Sequence, residues 1–256
     1  YKRQVIDGDV MGPFDYAFLN DTEAQFKVNN TLAISNAIAD DYEAIFFVGG
    51  KGAMFDFPDN KDIQAILSNY QKANKVIGAV CHGPAALVNV TLDNGRPLLE
   101  NRKVSGFTNK EELLLISDAA SIFPFLLQDK ITAQGARFNE GTMYLEKVSY
   151  DKNLVTGQNP WSTWSVAETM IKQMGDTPKY REITDEENAV SVLEMYETQG
   201  FQKAKEMIKT MSIEEKKPIK RVLIATHSIV GVMKGEAGRC IDMVRLTSFA
   251  KKCASE

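Results

Sequence analysis

The sequence predicts an α/β chain: a doubly wound, mostly parallel sheet over residues 1–175, then a mostly helical extension over residues 176–256. Three observations carry this. Short continuous apolar runs at residues 44–48 and 76–80 read as strands buried on both faces. Stretches with helical apolar spacing alternate with them, the pattern of parallel crossover units. Past Gly175-Asp176-Thr177-Pro178 the alternation stops and only helical spacing remains.

Residues 1–42 are polar and irregular, with turn signals at Asp7-Gly8 and Gly12-Pro13, and no strong strand is expected there. Ala44-Ile45-Phe46-Phe47-Val48 is the first strand, stopped by Gly49-Gly50. Residues 62–73 follow as a helix with Ile63, Ile66, Leu67 and Tyr70 on one face. Val76-Ile77-Gly78-Ala79-Val80 is the second buried strand, with helical character over residues 83–90 behind it. A short strand is expected at residues 103–105, with helices at 111–119 and 123–133, the latter ending at Gly135. Residues 143–150 alternate like a strand, and Asp151-Lys152-Asn153 turns the chain into Leu154-Val155-Thr156. An amphipathic helix over residues 162–174 closes this part. In the extension, residues 186–198 and 201–211 have helical spacing, with Met195, Met207 and Met211 as core filling or surface cover. Residues 221–226 fit either a helix or a strand, because a short apolar run does not decide between them.

Composition narrows the function. With 256 residues, 44% hydrophobic and 25% charged, the chain holds one sizeable core with an appendage. Thirty Lys and Arg against thirty-four Asp and Glu leave a net charge of −4. That balance, without a long basic run, argues against nucleic acid or an anionic membrane as partner. The longest apolar runs are too short to span a bilayer. Three cysteines (Cys81, Cys240, Cys253) and two histidines (His82, His227) are too few for a disulfide framework or a metal cluster. A cytoplasmic location fits this usage. A periplasmic or secreted one is the alternative, because the chain opens at Tyr1 without an initiator Met. Asn-x-Thr triplets begin at Asn20, Asn29 and Asn89, but they do not establish secretion.

The informative stretch is Ala79-Val80-Cys81-His82-Gly83-Pro84-Ala85-Ala86. A buried strand runs into a cysteine with a helix just behind it, the arrangement of a nucleophile elbow. A helix N-terminus, backbone N–H groups and a neighbouring base all favour a thiolate there, the form that attacks carbon. A lone cysteine is more often a small buried hydrophobe; His82 and the small residues behind it shift Cys81 toward chemistry. Val48-Gly49-Gly50-Lys51-Gly52 ends the preceding strand, where glycine lets a backbone N–H face the crevice. The spacing does not match a phosphate-binding loop.

Four blocks together resemble the ThiJ/PfpI superfamily, of the class I glutamine-amidotransferase-like kind. They run from Asp41 through Gly49-Gly50-Lys51-Gly52 to Phe57, over the Cys81 elbow, over Val104-Ser105-Gly106-Phe107-Thr108-Asn109-Lys110-Glu111-Glu112, and over Leu154-Val155-Thr156-Gly157-Gln158-Asn159-Pro160. They are most similar to its branch of glutathione-independent glyoxalase III and heat-shock chaperone proteins. The resemblance implies a flavodoxin-like fold, a homodimer and a Cys–His–acid triad. Cys81 would be the nucleophile and His82 the base and acid. Glu112 would orient His82, with Glu111 as the neighbouring candidate, and the N–H groups of Gly50 and His82 would form an oxyanion hole. The implied substrate is a small reactive aldehyde, methylglyoxal or glyoxal, converted to the 2-hydroxy acid with no cofactor, glutathione or metal. An amidase or deglycase hydrolase, a redox-sensing chaperone and a catalytically degenerate binding module are the alternatives on the same scaffold.

Two departures accompany the resemblance. Lys51 stands where relatives commonly have His. The match also begins after the family's first strand–helix unit, which carries an additional glutamate. Residues 221–226 are the one stretch composed to fill that strand's place.

Overall fold

The computed structural model describes residues 13–255; the expected turn at Asp7-Gly8 and residue Gly12 lie outside them. The stretch expected to be irregular instead contains two helices, α1 (Pro13–Asn20) and α2 (Thr22–Asn29). Asp21 caps α2, its side chain accepting from the N–H groups of Glu23 and Ala24. α2 buries no residue, so no apolar stripe announced it.

Strand β1 (Ala44–Phe47) leads through the short α3 (Ala53–Asp56) into α4 (Lys61–Lys72), then β2 (Val76–Val80). Asn60 caps helix α4, its side chain accepting from the N–H groups of Asp62 and Ile63. It buries Ile63, Ile66, Leu67 and Tyr70, the face its spacing marked. Behind β2, helical character extends only over Gly83–Leu87, as a 3-10 turn rather than a helix to residue 90. The remaining elements of this unit are β3 (Lys103–Val104), α5 (Asn109–Leu115), α6 (Ala119–Ile122), α7 (Leu127–Ala133), β4 (Arg137–Phe138), β5 (Val148–Asp151), β6 (Leu154–Gly157) and α8 (Thr163–Gln173). The helices expected at 111–119 and 123–133 are thus shorter and displaced. The strand expected over 143–150 starts only at Val148, because residues 142–145 form a turn closed by Leu145 N–H on the Thr142 carbonyl.

The sheet order is β1-β2-β6-β5. β1/β2 and β2/β6 pair in parallel and β5/β6 antiparallel. β1 therefore lies at an edge, half-buried, while β2 and β6 are buried throughout. β3 and β4 form a separate parallel pair. Ser105 N–H donating to Thr156 Oγ1 (2.8 Å) and Lys103 N–H donating to Asp151 Oδ2 (2.7 Å) tie that pair to the sheet.

Helices α9 (Asp185–Gln199), α10 (Phe201–Lys209), α11 (Arg221–Met233) and α12 (Ala237–Cys253) build a second apolar cluster. Leu145 of the sheet unit is buried within it, and Met195, Met207 and Met211 pack against it. Residues 221–226, the alternative candidate for a sheet strand, are the first turns of α11, which buries Ile224, His227 and Gly231 at helical spacing. Among the described residues no helix is long and apolar enough to cross a membrane.

Candidate active site

Cys81 sits one residue past β2 with φ +62°. That left-handed conformation costs a Cβ-bearing residue on the order of 1–3 kcal/mol and persists only where the surroundings impose it. Here they do. Cys81 N–H donates to the Gly157 carbonyl at the end of β6 (3.0 Å), and Phe107 N–H donates to the Cys81 carbonyl (2.9 Å). Two glycines permit the close approach. A Cβ on Gly49 would stand 2.6 Å from Cys81 Cβ, and one on Gly83 would stand 2.1 Å from the Phe47 carbonyl oxygen. The end of β1 therefore presses against the elbow. Gly50 follows with φ +110°, and Lys51 is exposed beside it.

The elbow turns His82 inward. It is 2% exposed, with Nδ1 3.4 Å from Cys81 Sγ and Nε2 2.5 Å from Glu112 Oε2. Phe107 lies across the imidazole face with ring centroids 4.6 Å apart, and Phe123 stands at 6.3 Å. Burial by itself pushes the imidazole pKa down. The hydrogen bonds and charges of Cys81 and Glu112 overcome it and raise the pKa to about 9. At neutral pH the ring is therefore a cation held between sulfur and carboxylate. The imidazolium proton is thereby positioned for transfer beside Cys81 Sγ.

Glu111 and Glu112 both belong to α5 and are both buried, yet they do different things. Thr108 caps the helix and exchanges hydrogen bonds with Glu111, whose Oε2 accepts from Thr108 N–H (3.0 Å) and Oγ1–H (2.9 Å). Glu111 Oε1 accepts from Tyr144 N–H (2.7 Å), Gln158 Nε2 (3.0 Å) and Asn159 Nδ2 (3.0 Å). Five donors on one carboxylate leave Glu111 turned away from His82, knitting α5 to the chain around residues 144 and 158–159. Glu111→Ala is expected to destabilise the fold by about 3 kcal/mol or more, because it leaves several buried donors unpaired. Chemical denaturation would measure this. A loss below about 1 kcal/mol would contradict the role.

Sequence reasoning placed Cys81, His82, Glu112 and Gly50, and the structure brings the first three into one line. It missed Phe107 and Tyr144. Phe107 lay within the motif Gly106-Phe107-Thr108, but an aromatic residue there carries no chemical signature of its own. Cys81, Cys240 and Cys253 form no disulfide with one another; Cys253 is buried among the C-terminal helices. Among the described residues no group of three or more His, Cys, Asp or Glu side chains is placed to share an ion. A cleft of about 1220 Å³ between Trp161, Trp164 and the start of α9 shares no residue with Cys81, His82 or Glu112.

Comparison with known proteins follows the same geography. The model of the DJ-1/PfpI family matches residues 19–173. Glutathione-independent glyoxalase HSP31 of Saccharomyces cerevisiae is 36% identical over 168 residues, covering 59% of this chain and 69% of that protein. Glyoxalase 3 of Candida albicans is 30% identical, over 64% of this chain and 72% of that protein. The crystal structure of glyoxalase III from Candida albicans superposes with a TM-score of 0.61 at 28% identity, covering 68% of this chain and 75% of that one. The structure of the 24 kDa rapid encystment protein of Francisella tularensis also gives a TM-score of 0.61, at 32% identity over 66% of this chain and 73% of that one. With the elbow, the sheet and the family model in agreement over the same residues, this chain belongs to the DJ-1/PfpI family.

Proposed function

We propose that this protein is a cysteine-dependent glyoxalase that converts methylglyoxal or glyoxal to the 2-hydroxy acid without glutathione. The observation that carries the proposal is the line from Cys81 Sγ through His82 to Glu112, built on a strained turn at the end of a buried strand. The names of the relatives support the substrate class.

The contacts of His82 with Cys81 and Glu112 support the following roles. Sγ attacks the aldehyde carbon and forms a C–S bond. The carbonyl electron pair moves to oxygen, which takes the proton from the His82 imidazolium, giving a hemithioacetal. The N–H groups of Gly50 and His82 stabilise the developing oxyanion. Neutral His82 then removes the hydrogen from the former aldehyde carbon to give an enediol. Reprotonation at the neighbouring carbon completes an internal oxidation–reduction and leaves a 2-hydroxy thioester. Water hydrolyses the thioester and the thiolate departs. Glu112 stabilises the imidazolium each time it forms. The net reaction adds one water to the aldehyde, with no external oxidant or reductant. The reaction is therefore of the lyase type, not an amide hydrolysis.

Incubating the protein with methylglyoxal in the absence of glutathione should produce lactate stoichiometrically with aldehyde loss, measured by an enzyme-coupled lactate assay. Aldehyde loss without lactate would indicate simple adduct formation and overturn the proposal.

A further inference from the structure

We propose that Tyr144 is a positioning residue for Cys81, His82 and Glu112, and that the C-terminal helices act on the site through it. The assignment rests on Cys81 and His82 as the reacting pair, but not on which aldehyde they meet.

Two neighbours set the imidazole of His82: Glu112 at its edge and Phe107 on its face. Tyr144 is tied to both. Its ring stands edge-on to Phe107, centroids 6.3 Å apart and planes at 62°. Its hydroxyl donates to the Glu111 carbonyl at 2.7 Å, and its own N–H donates to Glu111 Oε1 at 2.7 Å. Glu111 precedes Glu112 on the same helix, so a shift of Tyr144 moves the carboxylate and the aromatic face together. Burial, and then the charges of Glu111 and Glu112, push the phenol well above its ordinary range, so it remains a donor.

Tyr144 itself is held in an unusual state. Its φ is +56°, a left-handed conformation that a bulky residue adopts only under constraint. Part of the constraint comes from the helical extension. Leu145, the next residue, is buried among α9 to α12. His227 of α11 is 2% exposed and hydrogen-bonds the Tyr144 main chain. Arg239 Nη2 of α12 lies 3.3 Å from His227 Nδ1. A guanidinium only donates, so Nδ1 accepts and the ring proton sits on Nε2, free to donate to a carbonyl. Burial, then the Arg239 charge, hold the His227 pKa down to about 4, so the ring stays neutral near pH 7. The contact between Arg239 and Glu197 anchors this arrangement in α9.

The test measures the alkylation rate of Cys81 by iodoacetamide against pH, resolved from Cys240 and Cys253 by peptide mass spectrometry, beside methylglyoxal turnover. The ionisable groups facing His82 are Cys81 and Glu112, so loosening Glu112 lowers the pH at which the imidazolium is lost. Tyr144→Phe keeps the ring but deletes the hydroxyl. It should lower that inflection by about one unit and cut kcat on the order of tenfold at unchanged KM. His227→Leu should shift the inflection in the same direction by less. Met170→Ala, which opens a cavity in the cluster under α8, should lower Tm and leave the inflection in place. Superposable profiles for wild type, Tyr144→Phe and His227→Leu would overturn the proposal. An equal shift in Met170→Ala would do so too, since the effect would then be mere destabilisation. Should wild type make no lactate while Tyr144→Phe still shifts the alkylation profile, the glyoxalase reading fails and the positioning role stands.

Discussion

Cys81→Ser is expected to reduce methylglyoxal turnover by about four orders of magnitude or more, with little change in Tm. The size follows from removing the atom that forms the covalent bond, since members of such a unit fail together when one is lost. A serine side chain has the same branching, a smaller terminal atom and the same difficulty at φ +62°, so the elbow keeps its strain and its two backbone hydrogen bonds to Gly157 and Phe107. What disappears is the sulfur, the nucleophilic atom that stands 3.4 Å from His82 Nδ1. Steady-state lactate formation by wild type and variant, with circular dichroism to confirm the fold, makes the comparison. Equal turnover would remove Cys81 from the chemistry. Cys240→Ser serves as the reference, because Cys240 lies on α12 in the C-terminal helices.

Glu112→Gln is expected to lower kcat by about 10²–10⁴-fold and to change how stability depends on pH. In the wild type, burial opposes the His82 cation, while Cys81 and Glu112 raise its pKa from 6.5 to about 9. The folded protein then binds this proton more tightly than the unfolded chain does. The resulting stabilisation is fully present below about pH 6.5 and is lost as pH rises through about 9. It amounts to no more than about 3 kcal/mol. The glutamine removes the carboxylate charge and leaves burial less opposed, so the folded pKa drops toward the unfolded value. Wild type should therefore lose Tm between pH 7 and 9.5 by more than the variant, and the two curves should converge at the alkaline end. Parallel curves throughout would show that Glu112 does not stabilise the cation.

Much of the fold was legible for one physical reason. Strands buried on both faces read as unbroken apolar runs, so β1, β2 and β6 stood out, and the sharp turn after β2 marked Cys81. Elements that bury little left no such trace. Helices α1 and α2 lie in a stretch that reads as polar, with α2 held by the Asp21 cap and burying nothing. The pair β3 and β4 spans two residues per strand, too few to show a period.

The sequence by itself determined the alternation of strands and helices, the helical character of the C-terminal part and the place of Cys81 and His82, because adjacency and apolar pattern are local properties. Only the tertiary structure decided which of two adjacent glutamates meets His82. Neighbouring residues on a helix point about 100° apart. The rotation of α5 against the elbow therefore sends Glu112 to the imidazole and Glu111 to Tyr144, Gln158 and Asn159. The same holds for residues 221–226. Their apolar run suits strand or helix, and packing of Ile224 and His227 among the C-terminal helices resolves it. Tyr144 belongs with them: its place comes from a backbone twist and from partners 33 residues away in α5, and no local pattern encodes either.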